Sequence, residues 1–109
     1  MFRLCSSLER VLQPGKPYPI EFLVVPQNGS VRVTVRSTSP QRGLWWALRR
    51  KPDRGSAFTI LEGWVDPMGY HSEVKSRLDA GIYALDLACS PNTLFSGVGR
   101  IENLCSWLY

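Results

Sequence analysis

Residues Val31-Arg32-Val33-Thr34-Val35-Arg36 alternate strictly between apolar and polar side chains. Side chains of a strand point to opposite faces in turn, so this period of two predicts an antiparallel strand with one buried face. Just before it stands Asn28-Gly29, and before that the apolar-rich run Tyr18–Val25. Asn-Gly readily takes the two positive-φ positions of a type I′ turn, so residues 18–36 read as a β-hairpin. Pro17 and Pro19 confine the start of the first strand to an edge or a bend.

The same reading continues along the chain. Gly43-Leu44-Trp45-Trp46-Ala47-Leu48-Arg49-Arg50 is apolar and then basic, and Pro40 and Pro52 hold it to a strand's length. Ala57–Val65 is rich in β-formers. Asp66-Pro67-Met68-Gly69 and Asp79-Ala80-Gly81 are turns, with the mostly polar edge strand Glu73–Leu78 between them. Ile82–Cys89 is a further strand, and the stretch from Val98 to Tyr109 closes the set, with Gly97 and Gly99 at its start. The only helix candidate is Ser7–Leu12. Short strands with turn signals every ~8–12 residues predict an all-β fold: an antiparallel, jelly-roll-like β-sandwich of about 7–8 strands. The expected core is Ile20, Phe22, Val24, Val31, Val33, Val35, Leu44, Trp46, Leu48, Phe58, Ile60, Trp64, Val74, Leu78, Tyr83, Leu85, Leu87 and Ile101. With 109 residues and no linker or repeat, residues 1–109 are expected to form one sandwich domain.

Charge changes the picture locally. Arg32, Arg36, Arg42, Arg49, Arg50, Lys51 and Arg54 face only Asp53 within their window, whereas the rest of the chain is slightly acidic. A basic run attracts nucleic acid, anionic lipid or an acidic protein surface, or simply solvates a face. The three cysteines, Cys5, Cys89 and Cys105, show no C-x-x-C spacing, and His71 is the sole histidine, so no cofactor and no metal are expected. The N-terminus lacks the apolar stretch of a secretory signal, which makes reduced thiols in the cytoplasm the expectation. A Cys5–Cys105 pair is left open, since the ends of a sandwich often lie in neighbouring strands. No apolar run reaches the ~20 residues of a membrane span.

Two stretches resemble a known architecture. Leu78-Asp79-Ala80-Gly81-Ile82-Tyr83-Ala84-Leu85-Asp86-Leu87 resembles the L-x-A-G-x-Y-x-L-x-V strand of pre-peptidase C-terminal domains and of GOLD-type sandwiches. Leu12-Gln13-Pro14-Gly15-Lys16-Pro17-Tyr18-Pro19-Ile20-Glu21-Phe22 resembles the L-x-x-G-x-x-x-x-F opening of the former. The resemblance implies a jelly-roll-like accessory or binding module without catalytic activity. The chain departs from that family in lacking an acidic cluster suited to calcium and an export signal, and no functional residue carries over.

Nothing in the sequence assembles a reaction centre. A nucleophile needs a base within hydrogen-bond reach and a third group to orient the base. His71, between Tyr70 and Ser72, is expected in an exposed loop, and no G-x-S-x-G elbow or phosphate-cradling glycine loop occurs. What remains is Trp45-Trp46 beside the basic run. Adjacent strand residues face opposite ways, so one indole points away from the core, and the alternation selects Trp45. Exposed Trp beside Arg has the composition of a binding hot spot. The candidate binding residues are therefore Trp45, Arg36, Arg49, Arg50, Lys51 and Arg54. The expected function is a non-enzymatic interaction module that binds another protein, or a second copy of itself, through this Trp/Arg surface or a sheet edge. The alternative is a nucleic-acid binder using Arg32–Arg54, with bases stacked on rings and arginines on phosphates. A third reading is an enzyme or carbohydrate binder with a shallow aromatic site at Trp45, Trp64 or Tyr83.

Overall fold

The alternating segments all become strands. The computed structural model describes residues 2–12, 22–88 and 96–106, and among them there is no helix. The strands are β1 (Phe2–Leu12), β2 (Leu23–Val25), β3 (Gly29–Ser37), β4 (Leu44–Lys51), β5 (Phe58–Val65), β6 (Tyr70–Leu78), β7 (Gly81–Ala88) and β8 (Gly97–Ser106). They build two four-stranded antiparallel sheets in the orders β1-β8-β3-β6 and β2-β7-β4-β5. This is the ordering of an eight-stranded jelly roll.

Both sheets bury one face against the other. Val31, Val33 and Val35 of β3 and Ile101 of β8 have no exposed surface. They pack in one cluster with Leu44, Trp46 and Leu48 of β4 and Leu85 and Leu87 of β7. Two polar groups drawn into this region find partners: the buried Ser37 hydroxyl donates to the Arg42 carbonyl at 2.8 Å, and the Asn103 amide donates across the sandwich to the Val24 carbonyl at 3.3 Å.

Several sequence expectations change. The strands on either side of Asn28-Gly29 are not a hairpin: β2 belongs to one sheet and β3 to the other, and residues 18–21 of the expected hairpin lie outside the described residues. Asn28 alone takes a positive φ, 60°, and the Gly29 amide donates to the Pro26 carbonyl at 2.9 Å. A single positive φ at the third residue is the pattern of a type II turn, and here it turns the chain through the corner between the sheets. Gly29 fits that corner because a Cβ there would lie 2.5 Å from Val25 Cγ1. Every other consecutive pair except β4–β5 also crosses between sheets. Ser7–Leu12 is strand, not helix, because it pairs with β8 from Ser7↔Glu102 to Leu12↔Gly97. The closing segment is a strand over Gly97–Ser106, and it lies between β1 and β3. Ile20, Cys89 and Trp107–Tyr109 lie outside the described residues.

The expected core was also out of phase in three strands. Leu23 and Val25, not Phe22 and Val24, face inward. No polar residue interrupts Phe22–Val25, so the pattern alone cannot set its phase. In β5 the pairing runs Arg49↔Thr59 and then Leu48↔Leu61, which leaves Ile60 as a bulge. A bulge inserts one residue and reverses the alternation beyond it. Trp64 therefore points outward and is 58% exposed, while Gly63 and Val65 point inward. Phe58 sits at the sheet's end and is also exposed. In β6 two residues, Ser76 and Arg77, oppose Ser30, and Arg77 takes a φ of 58°. That second bulge puts Val74 outside and Leu78 inside.

Two predictions follow from this packing. Gly29→Ala should lower stability by about 1–3 kcal/mol in urea denaturation, because the corner must open to admit a methyl group. Tyr83 is buried, and its hydroxyl donates to the Asp79 carbonyl at 2.7 Å. Burial raises its phenol above the ordinary range, with the neighbouring Arg50 guanidinium opposing. The unfolded chain thus loses this proton first, so the contribution is complete below about pH 10 and declines as pH rises beyond it. Tyr83→Phe should cost about 1 kcal/mol at neutral pH and flatten the alkaline fall of stability relative to the native chain.

Candidate binding surface

The outer face of the β2-β7-β4-β5 sheet carries Trp45 and Trp64 together with the cations Arg49 and Lys51. Along β4 the alternation sends Leu44, Trp46 and Leu48 into the core and Trp45, Ala47 and Arg49 outward. Cross-strand pairing aligns the outward residues in rows. Trp45 lies opposite Trp64 of β5, and Ala47 lies between Asp86 and Glu62. Arg49 lies between Ala84 and Thr59, and Lys51 pairs with Ile82, which pairs in turn with Val24.

The face therefore has two apolar ends with charge between them. At one end Trp64 is anchored against Gly43, whose Cβ, were it present, would lie 2.3 Å from the indole. Trp45 beside it is half-buried. At the other end Val24 is 70% exposed, with Phe22 and Ile82 also open to solvent. Lys51 Nζ stands 5.2 Å from the centre of the Phe22 ring, a cation–π distance. Small residues keep the middle low, and Phe22, Arg49, Lys51, Ala57, Ala84 and Asp86 line a shallow hollow of about 230 Å³.

The basic run does not form one patch. Arg32 and Arg36 stand on β3 and so on the outside of the opposite sheet. Arg49 and Lys51 share the outer face with Trp45. Arg50, pairing with the inward Tyr83, follows the inner side to the sheet's end, where it donates to the Ala80 carbonyl at 2.9 Å. Arg54 lies exposed in the β4–β5 loop. Among the described residues three of the seven cations are ion-paired: Arg49 with Asp86 at 3.3 Å, Arg50 with Asp79 at 4.0 Å and Arg32 with Glu102 at 3.9 Å. Arg36 instead lines a separate hollow of about 210 Å³ with Glu9, Thr34, Tyr70, Val98 and Arg100. Of the six candidate binding residues, the fold gathers Trp45, Arg49 and Lys51 and separates the other three.

Sequence reasoning missed three features here. Phe22, Val24 and Trp64 were assigned to the core, yet they form the exposed ends of this face. The signal for Trp64 was the bulge, which pairing alone reveals. His71 was expected in an exposed loop; it is in β6, half-buried, with its ring stacked on Trp46 at 5.4 Å between centres and 24° between planes. Its Nε2 lies 3.0 Å from Glu73 Oε1. No hydroxyl or thiol is hydrogen-bonded to this pair among the described residues. Tyr83 is buried and cannot stack on a sugar.

Among the described residues no group of three or more His, Cys, Asp or Glu is placed to hold a metal ion. Among the described residues no helix is long and apolar enough to cross a membrane. β1 and β8 are neighbours, with Cys105 opposite Arg3 and Cys5 in the register break between Leu4 and Ser6. No protein-family model and no curated protein matches the chain, so the resemblance seen in its two sequence motifs rests on those motifs alone.

Proposed function

We propose that this jelly roll is a non-catalytic protein-binding module that docks through the outer face of the β2-β7-β4-β5 sheet. The observation that carries the reading is the cross-strand pair Trp45–Trp64 on an exposed sheet face, with Trp64 58% exposed. Large aromatic side chains held on rigid strands bury much area on docking and lose little side-chain entropy. Phe22, Val24 and Ile82 extend the apolar area to the far end of the same face. Arg49, Asp86, Glu62 and Lys51 between the ends supply the charges that orient a partner.

The nucleic-acid reading is not favoured by any comparable observation. Its cations are divided between opposite faces of the sandwich, and ion pairs already occupy Arg32, Arg49 and Arg50. Three cysteines without a C-x-x-C spacing suit a reducing compartment, and the cytoplasm is the proposed location.

The test compares the native chain with Trp45→Ala and Val24→Asp, each first checked for an unchanged unfolding midpoint. Light scattering after size exclusion reads self-association, and quantitative affinity capture reads other partners. Either a higher oligomer or a defined set of partners should be lost in both variants, with affinity falling by about tenfold or more. A monomeric native chain whose captured proteins are the same in both variants would overturn the reading. Gel shifts should show weak single-strand binding with a shallow salt dependence, since few phosphates can be contacted together.

A further inference from the structure

The open side of the sandwich, where edge strands β5 and β6 face each other, holds a small polar slot. About 110 Å³ in volume, it is lined by Trp46, Glu62, Gly63, Trp64, His71 and Glu73. Gly63 points inward opposite Trp46, and a Cβ there would lie 2.9 Å from the indole Cε2, Cζ2 and Nε1. The indole thus packs directly on the Gly63 backbone, in the space a side chain would take, with its N–H edge beside the slot. Trp46 is 1% exposed, and its Nε1–H is buried without an acceptor. Native proteins leave few buried donors unpaired, and with no acceptor among the described residues this one is open to an acceptor brought by a ligand. The His71 stack holds the indole in place, and the His71–Glu73 contact engages one carboxylate oxygen of Glu73 and leaves the other for a ligand.

The slot therefore offers one inner donor and, at its rim, the carboxylates of Glu62 and Glu73. An anion would be repelled by that rim, and an ammonium would meet the indole N–H with a like dipole. A primary carboxamide fits both requirements, since its carbonyl accepts from Trp46 and its two N–H groups donate to the carboxylates. The edge itself selects how that group arrives. Among the described residues β5 pairs only with β4, and from Phe58 to Val65 its one charge is Glu62. Past the Ile60 bulge, Leu61–Val65 presents a regular unpaired edge, the template for an added strand. The inward side chains of such a strand would enter the slot.

We infer that the Trp46–Gly63 slot binds the asparagine or glutamine side chain of an extended protein segment that adds to the free edge of β5. The inference rests on the reading of the chain as a protein-binding module and adds a second contact with its own chemistry.

The experiment follows the Trp46 indole N–H in ¹⁵N-labelled full chain, assigned by replacing Trp45, Trp64 and Trp107 singly with Phe. The probes are acetyl-Thr-Val-Gln-Val-Thr-N-methylamide and the same peptide with Glu or Met at its centre. The Gln peptide should move the Trp46 resonance and bind about tenfold more tightly than either control. Gly63→Ala should remove that preference; should it not fold, Glu62→Ala on the exposed rim should reduce it. Equal binding of all three peptides, an unmoved Trp46 resonance (a slot that holds water only), or a larger shift with N-acetylglucosamine would each overturn the inference. Trp45→Ala should leave the peptide preference intact. Failure of the peptides therefore does not count against docking through the outer face, and failure of that docking does not count against the slot.

Discussion

Val31, Val33 and Val35 are wholly buried because the inner face of the other sheet, with Trp46, Leu48, Leu85 and Leu87, covers them. Much else in the molecule is arranged around that contact. A strand with one apolar face needs a second layer, and two sheets packed face to face bury both. To alternate between the layers, the chain turns a corner after nearly every strand, and Gly29 and the positive-φ Asn28 shape one of those corners. The same alternation that fills the interior assigns every second residue to the outside, where binding can occur.

The two outer faces differ in which side chains they expose. On the β1-β8-β3-β6 sheet, Arg32 and Arg100 share Glu102, at 3.9 and 3.7 Å. Exposed ion pairs of this sort contribute little to stability and make a well-solvated surface. Tyr70, Val74 and Val11 are the large exposed side chains beside these charges, whereas the β2-β7-β4-β5 sheet carries the indole pair Trp45–Trp64 with Val24, Phe22 and Ile82. A run of arginines close in sequence thus becomes two separate groups in space, since neighbouring strands in the chain belong to different layers.

A single inserted residue links the two proposed contacts. The Ile60 bulge reverses the phase of β5, so Trp64 turns outward beside Trp45 while Gly63 turns inward over Trp46. Without it, Gly63 would face solvent and Trp64 would compete with Trp46 for the core. The exposed aromatic pair and the slot beneath the strand are then two consequences of one local irregularity, and bulges commonly re-aim side chains beside functional sites.

The strand-rich class, the sandwich, the inward valines of β3 and the outward Trp45 were all determined by the sequence alone, because a period of two leaves each residue only two directions. The polar edge strand at Glu73–Leu78 was legible for the same reason, charge being what an unpaired edge tolerates. Register and layer were not legible. Phe22–Val25 is apolar throughout and acquires a phase only by pairing with β7, and Asn28-Gly29 suits a hairpin as well as a corner. Trp64 and Val74 changed faces at bulges that exist only once two strands are aligned. Where an arginine run divides, which indole meets His71 and which edge stays open are properties of contacts between distant segments, and only the folded chain decides them.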